Sequence, residues 1–184
     1  MSRPQRGLTV WLTGLPGSGK TTSATYLLDA LASRGLRASS LDGDVLRDGI
    51  SADLGFTDED RAENVRRTGE IALLLATEGV VVVVSLVSPR RDARDAVRGR
   101  HDERGIGFLE VHVAAPLEVC EQRDPKSLYR RARAGTLEHM TGVDNPYEAP
   151  TNPDLVLATD LKSVDATGAE LVDAVLAALA HLGT

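Results

Sequence analysis

Residues 11–23 read WLTGLPGSGKTTS, and within them Gly14-Leu15-Pro16-Gly17-Ser18-Gly19-Lys20-Thr21 fits G-x-x-x-x-G-K-[ST], the spacing of a loop that cradles polyphosphate. The chemistry needs these residue types at these positions. Glycines let main-chain N–H groups approach phosphate oxygens, the lysine reaches the β and γ oxygens, and the hydroxyl after it holds Mg2+. Lys20 is thus a catalytic candidate and Thr21 the expected Mg2+ ligand, with Thr22 continuing the contact. The first ligand these residues predict is a nucleoside triphosphate.

A second group of residues suits the receiver of its phosphate. In LDGDVLRDG, residues 41–49, Asp42 and Asp44 flank a glycine. One carboxylate can take a hydroxyl proton or orient the attacking oxygen, and the other can position Mg2+ waters, as phosphoryl transfer requires. Further on, Arg61, Asn64 and Thr68 share one stripe at 3.6 residues per turn, beside an apolar stripe of Ala62, Val65, Gly69, Ala72 and Ala76. Substrate contacts at the edge of the core are expected there. Arg47 offers a fork for an anion, and Phe56, in the loop DLGFTD, offers a flat face for a base.

The elements that must position these groups alternate along the chain. Leu8 to Leu12 reads as a buried strand, and Thr21 to Leu31 has helical spacing, so the glycine-rich loop lies at a strand-to-helix turn. LRASSLDGD supplies a second strand ending at Asp42. Thr57 and Asp60 have the spacing of a helix start, with Gly79 closing the helix. VVVVVSLV at 80–87 suits a central strand covered on both faces. Residues 90–104 look helical, 108–115 form a strand, Pro116 opens a helix, DLVLAT is the last strand, and a helix over roughly 166–182 closes the chain. This alternation predicts an α/β fold: a parallel five-stranded sheet with right-handed crossovers, helices on both faces, and ligands at the carboxyl ends of the strands. Residues 124–153 lack periodicity and read as a mobile segment.

Composition bounds the rest. A chain of 184 residues, 42% hydrophobic, predicts one domain over 1–184. The opening MSRPQRG has no apolar leader, and the valine run is too short to cross a bilayer, so a cytoplasmic protein with no membrane partner is expected. A net charge of −6 argues against nucleic acid as a partner. One cysteine, Cys120, excludes an internal disulfide and reads as the buried side of a helix, while the four histidines have no metal-ligand spacing. Two basic runs remain. RDPKSLYRRAR at 123–133 suits anion contact, and RRDARDAVRGR at 90–100 reads mostly as a solvated helix face.

GLPGSGKTT, LDGDVLRDGISADLGFTDEDRAENVRR, SPRRDARDAVR, PLEVCEQRDPKSLYRRARAG and TGVDNPYEAPTNP, in this order, resemble the adenylylsulfate kinase (APS kinase) family, from about residue 8 to the closing helix. The resemblance implies a P-loop NTPase fold, usually a homodimer, that moves the γ-phosphate of ATP to the 3′-hydroxyl of adenosine 5′-phosphosulfate (APS), giving PAPS. It also implies Asp44 as base, and Arg47, Phe56, Arg61, Asn64, Val87, Ser88 and Lys126 as APS contacts. Arg123 would lie against the ATP adenine, and residues 124–150 would form a lid. Ser88 matches a serine proposed in the family as a transient phosphate carrier; a hydroxyl that only hydrogen-bonds is the reading preferred here. Arg90 stands where the family usually has an aromatic residue, and Met140 where it has a phenylalanine over the substrate adenine, so another 3′-hydroxyl nucleotide or nucleoside is the alternative acceptor.

Overall fold

A computed structural model describes residues 7–182. The opening residues 1–6, most of the stretch read above as lacking an apolar leader, lie outside the described residues. Five strands form one parallel sheet: β1 (Leu8–Thr13), β2 (Ala38–Asp42), β3 (Val81–Ser85), β4 (Gly107–Ala114) and β5 (Leu155–Ala158), in the order β2-β3-β1-β4-β5. Every residue of β1 and β3 is buried, as strands covered on both faces must be.

The helices are α1 (Lys20–Ala32), α2 (Gly43–Asp48), α3 (Asp58–Thr77), α4 (Arg91–Asp102), α5 (Leu117–Arg123), α6 (Leu128–Arg133) and α7 (Val164–Leu182). Strand alternation sorts the core into two layers. Leu8, Val10, Leu12, Val81 and Val83 face α1 and α7, where Leu27, Leu31, Leu171 and Val175 meet them. Trp11, Val82 and Val84 face the other way, onto Val65, Ala72 and Ala76 of α3 and Val97 of α4. Each such Val or Leu, taken out of water, contributes about 1.5–3 kcal/mol.

Caps and turns fix where the elements end. Thr57 accepts the Asp60 N–H at 3.2 Å and starts α3, as its spacing predicts. Asp42 likewise caps α2, accepting the Asp44 N–H at 3.0 Å. The chain leaves β1 for β2 and β3 on one side of the sheet and for β4 and β5 on the other, which opens a crevice at the strands' carboxyl ends.

Several expectations need correction. The segment after residue 124 is not featureless: it holds α6 and a small core in which Cys120 packs with the buried Tyr129 and Met140. Six residues are too few to display helical periodicity, which also hid α2. Ala62 is exposed, and the packed stripe of α3 begins at Val65. In the arginine run, Arg94 is only 1% exposed, because Glu110 of β4 lies beneath it to neutralise its charge. Among the described residues no helix is long and apolar enough to cross a membrane.

Candidate active site

The loop between β1 and α1 lies at the carboxyl edge of the sheet and takes backbone angles that L side chains resist. Gly17 has φ +78°, and a Cβ there would sit 3.0 Å from the Cys120 carbonyl oxygen; Gly19 has φ +104° and caps α1. Any larger residue would strain the loop or push α5 away. Arg123, at the end of α5, clasps the loop from outside, donating to the Gly17 and Ser18 carbonyls at 3.3 and 3.4 Å and to the Thr159 carbonyl at 2.6 Å. Thr159 Oγ1 adds a bond to the Ser18 carbonyl at 2.6 Å, and the Tyr129 hydroxyl reaches the Pro16 carbonyl at 2.8 Å.

Lys20 lies inside this loop, its ammonium donating to the Gly14 and Leu15 carbonyls at 2.9 and 2.8 Å. Burial lowers its pKa to about 8, against the opposing pull of Asp42 and Asp44. A polyphosphate would reverse that effect by supplying negative charge. The Leu15 side chain turns the other way, into the small core around Tyr129.

Thr21 and Asp42 are the pair suited to a metal. The Thr21 hydroxyl donates to Asp42 Oδ2 at 3.4 Å, and the second carboxylate oxygen caps α2. A hydroxyl and a carboxylate are hard oxygen donors, which fits Mg2+ carried in by phosphates with most of its waters. Among the described residues no cluster of three His, Cys, Asp or Glu side chains could hold a metal unaided. Asp44, in the first turn of α2, points instead across the cleft to Lys126, with which it forms an ion pair.

A cleft of about 610 Å3 joins the loop to the acceptor candidates, a size suited to small-molecule ligands. Its walls include Lys20, Thr21, Thr22, Asp42 and Asp44, and also Arg47, Phe56, Arg61, Asn64, Val87, Ser88, Lys126 and Met140. Arg47 donates to the Leu54 and Gly55 carbonyls and stacks its guanidinium 4.2 Å from the centre of the half-exposed Phe56 ring. Arg61 donates to the Phe56 carbonyl at 3.0 Å and to the His139 carbonyl at 2.5 Å, tying α3 to the segment opposite. Burial lowers the pKa of both arginines, which nonetheless stay charged.

Asn64 is 3% exposed, and its Oδ1 has no protein partner, as is true of Thr141 Oγ1 on the opposite wall. Buried polar atoms of this kind call for a partner, and both line the cleft. Ser88 is different. Its hydroxyl accepts the Trp11 indole N–H at 3.1 Å and donates to the Leu86 carbonyl at 3.3 Å, on a backbone held at φ +40°. Arg90, by contrast, pairs with Asp92 at 3.3 Å and Glu148 at 3.7 Å.

Sequence reasoning missed Thr159, Tyr129 and Arg94. Arg94 donates to Glu110 Oε1, to the Ser88 carbonyl and to the Glu148 carbonyl, each at 2.7 Å, so one side chain ties α4 to β4, to the turn after β3 and to the chain at Glu148. Asp124 was missed too, and it alone carried a readable signal: an acid just before PKSLYRR, it accepts the Tyr129 and Arg130 N–H groups at the start of α6.

The sequence model described as adenylylsulphate kinase matches residues 6–158. The chain belongs to the adenylylsulfate kinase family. Adenylyl-sulfate kinase of a Picosynechococcus strain is 47% identical over 178 residues, covering 97% of this chain and 96% of that one. The bifunctional enzyme CysN/CysC of Mycobacterium tuberculosis is 50% identical over 171 residues, 93% of this chain but 28% of that longer protein. Among solved structures, M. tuberculosis APS kinase CysC in complex with AMPPNP and APS superposes with a TM-score of 0.90 at 49% identity, covering 94% of this chain and 99% of that one. These likenesses agree with the P-loop kinase fold built above from strand order and loop geometry. They also make this adenylylsulfate kinase family member an enzyme of the phosphotransferase class.

Proposed function

We propose that this protein transfers the γ-phosphate of ATP to the 3′-hydroxyl of adenosine 5′-phosphosulfate, forming PAPS and ADP. The observation that carries the reading is a single cleft lined by a complete phosphate loop and by a second, differently built wall of Arg47, Phe56, Arg61 and Asn64, with Asp44 in the same cleft. The solved relative that holds AMPPNP together with APS supports two nucleotides in such a cleft.

In this reading the 3′-oxygen attacks the γ-phosphorus in line, the bond to the β–γ bridging oxygen breaks, and the hydroxyl proton passes to Asp44. Lys20 and the loop N–H groups hold the phosphates and stabilise the charge that develops on them. Thr21 and Asp42 would hold Mg2+, which supplies charge neutralisation on the β and γ oxygens when bound. Arg123 and Thr159 flank the donor base, and Arg47, Arg61 and Lys126 take the anionic group of the acceptor. Residues 124–150 act as a lid that keeps water from competing for the phosphate.

Exposed Val45, Ile50 and Leu74, on or beside α2 and α3, support a homodimer. The unpaired, buried Cys120 suits the reducing cytoplasm.

The test is to incubate the pure protein with Mg-ATP and a panel of 3′-hydroxyl nucleotides. PAPS should form in step with ADP. Met140 in place of an aromatic cover favours one competing acceptor class, other 3′-hydroxyl nucleotides; product from one of these and none from APS would move the assignment there.

A further inference from the structure

The end of β3 carries a residue that the assignments above do not use. Val81 and Val83 face α1 and α7, and Val82 and Val84 face α3 and α4. By the same alternation Ser85 turns toward α1, the helix whose first turn bears Thr21. In the neighbouring strand Ala38 packs into the α1 layer and Leu41 into the other, so Asp42 also falls on the α1 side. Asp42 and Ser85 are register partners across β2 and β3, and Ser85 is in turn the partner of Leu12 on β1. Adjacent strands lie about 4.8 Å apart. The Asp42 carboxylate and the Ser85 hydroxyl therefore stand side by side beneath Thr21.

Ser85 is 5% exposed, lines the cleft, and its Oγ has no partner in the protein. A fifth valine would have continued the strand without that cost. A buried hydroxyl in a native core is nearly always paired, and here the cleft is where a partner can come from. Asp42 already spends one oxygen on the α2 cap and has only the other for Thr21 and for anything beyond it. A hydrated dication brought in with phosphates would present water O–H groups at this spot, and a neutral hydroxyl beside a carboxylate is suited to accept from one of them.

We propose that Ser85 is a positioning residue for the metal: its hydroxyl holds a water of the Mg2+ hydration shell alongside Asp42, and so helps fix the ion against the nucleotide. This rests on the reading of the cleft as a metal–nucleotide site. Loss of an outer hydrogen bond to a metal's first shell commonly weakens metal affinity by about 10–100-fold. For one water-mediated contact to a neutral hydroxyl, the low end is expected, roughly tenfold.

The probe is Mn2+ titrated into the protein–AMPPNP complex, with free Mn2+ read from its paramagnetic resonance signal. Ser85→Ala removes the hydroxyl, and Ser85→Cys removes it at nearly constant volume. Both should need about tenfold more free Mn2+ for half-saturation, while AMPPNP affinity measured in EDTA and the unfolding temperature stay as in the unaltered protein. Mn2+ affinity within twofold of the unaltered protein in either folded variant would overturn the assignment. Should the Ala variant be destabilised, the Cys variant decides. Failure of the unaltered protein to bind Mn2+ with AMPPNP would sink the metal–nucleotide reading itself; unchanged variants beside a normal parent sink only the role of Ser85.

Discussion

Asp44 on α2 and Lys126, in the turn between α5 and α6, are 82 positions apart in sequence and form an ion pair across the cleft. Their side chains are 70% and 56% exposed, so water screens the pair and it adds little to stability. In the function proposed above, an anionic acceptor would break it at little cost, freeing Lys126 to bind that acceptor and Asp44 to act on it. Lys126→Met should therefore leave the unfolding temperature unchanged and raise KM for the acceptor about 10–100-fold, the range for a lost charge-assisted contact of about 1.5–3 kcal/mol. KM for ATP should stay within about twofold. Steady-state kinetics with each substrate varied in turn would check both.

Asp44→Asn keeps the shape of the side chain and removes its basicity. A fall in kcat of about 10²–10⁴-fold is expected, with ADP affinity by calorimetry unchanged. Asp42→Asn should behave differently, because Asp42 also caps α2; its variant should lose some thermal stability as well as turnover.

Lys20 makes nucleotide binding pH-dependent in a defined direction. Its pKa in the folded protein is lowered to about 8 from 10.5, so between those values the unfolded chain holds more protons and the stability of the ligand-free protein rises with pH. Polyphosphate pulls the other way by favouring the charged ammonium. ADP affinity should fall as pH rises through about 8, with proton uptake on binding. Titration calorimetry at pH 8.5 in buffers of different ionisation enthalpy would detect that proton; Lys20→Met should abolish the uptake.

Arg94 and Glu110 form a buried ion pair at 2.7 Å, with side chains 1% and 8% exposed. Removing one partner strands the other charge. Arg94→Met should cost about 3–5 kcal/mol in urea unfolding. Because the same guanidinium holds the Ser88 and Glu148 carbonyls, the variant should also raise KM for the acceptor more than KM for ATP.

How much of this could be read in the chain depended on the range of each interaction. The loop, the strands around it and the Thr57 cap are written in consecutive or periodic residues, and the sheet followed from them. Arg94 could not be read that way. Its run looks solvated because Glu110, the charge that allows it to be buried, comes 16 positions later on another element. Tyr129 and Pro16 meet across 113 positions, and Arg123 and Thr159 across 36, so the clasp around the loop appears only in three dimensions. Asp42 and Asp44 were legible as a pair, but not their division of labour: one is spent on a helix cap and Thr21, the other faces Lys126.

Ser88→Ala should retain measurable turnover, because in-line transfer within one cleft needs no covalent carrier and the hydroxyl is already engaged by Trp11 and Leu86. Loss of all activity in a folded variant that still binds ATP and APS would count against this.

That indole contact has a practical side. Trp11 is the sole tryptophan of the chain, it is fully buried, and its N–H ends on Ser88, which lines the cleft. Excited at the red edge of its absorption, where the three tyrosines do not absorb, this indole is the one emitter of the chain, beside the turn at Ser88 and on the strand that leads into the phosphate loop. Its colour and intensity report the electrostatic surroundings of Ser88 without any label, so on the proposed function the arrival of the acceptor should be timed in a stopped-flow mixer apart from the chemistry that follows.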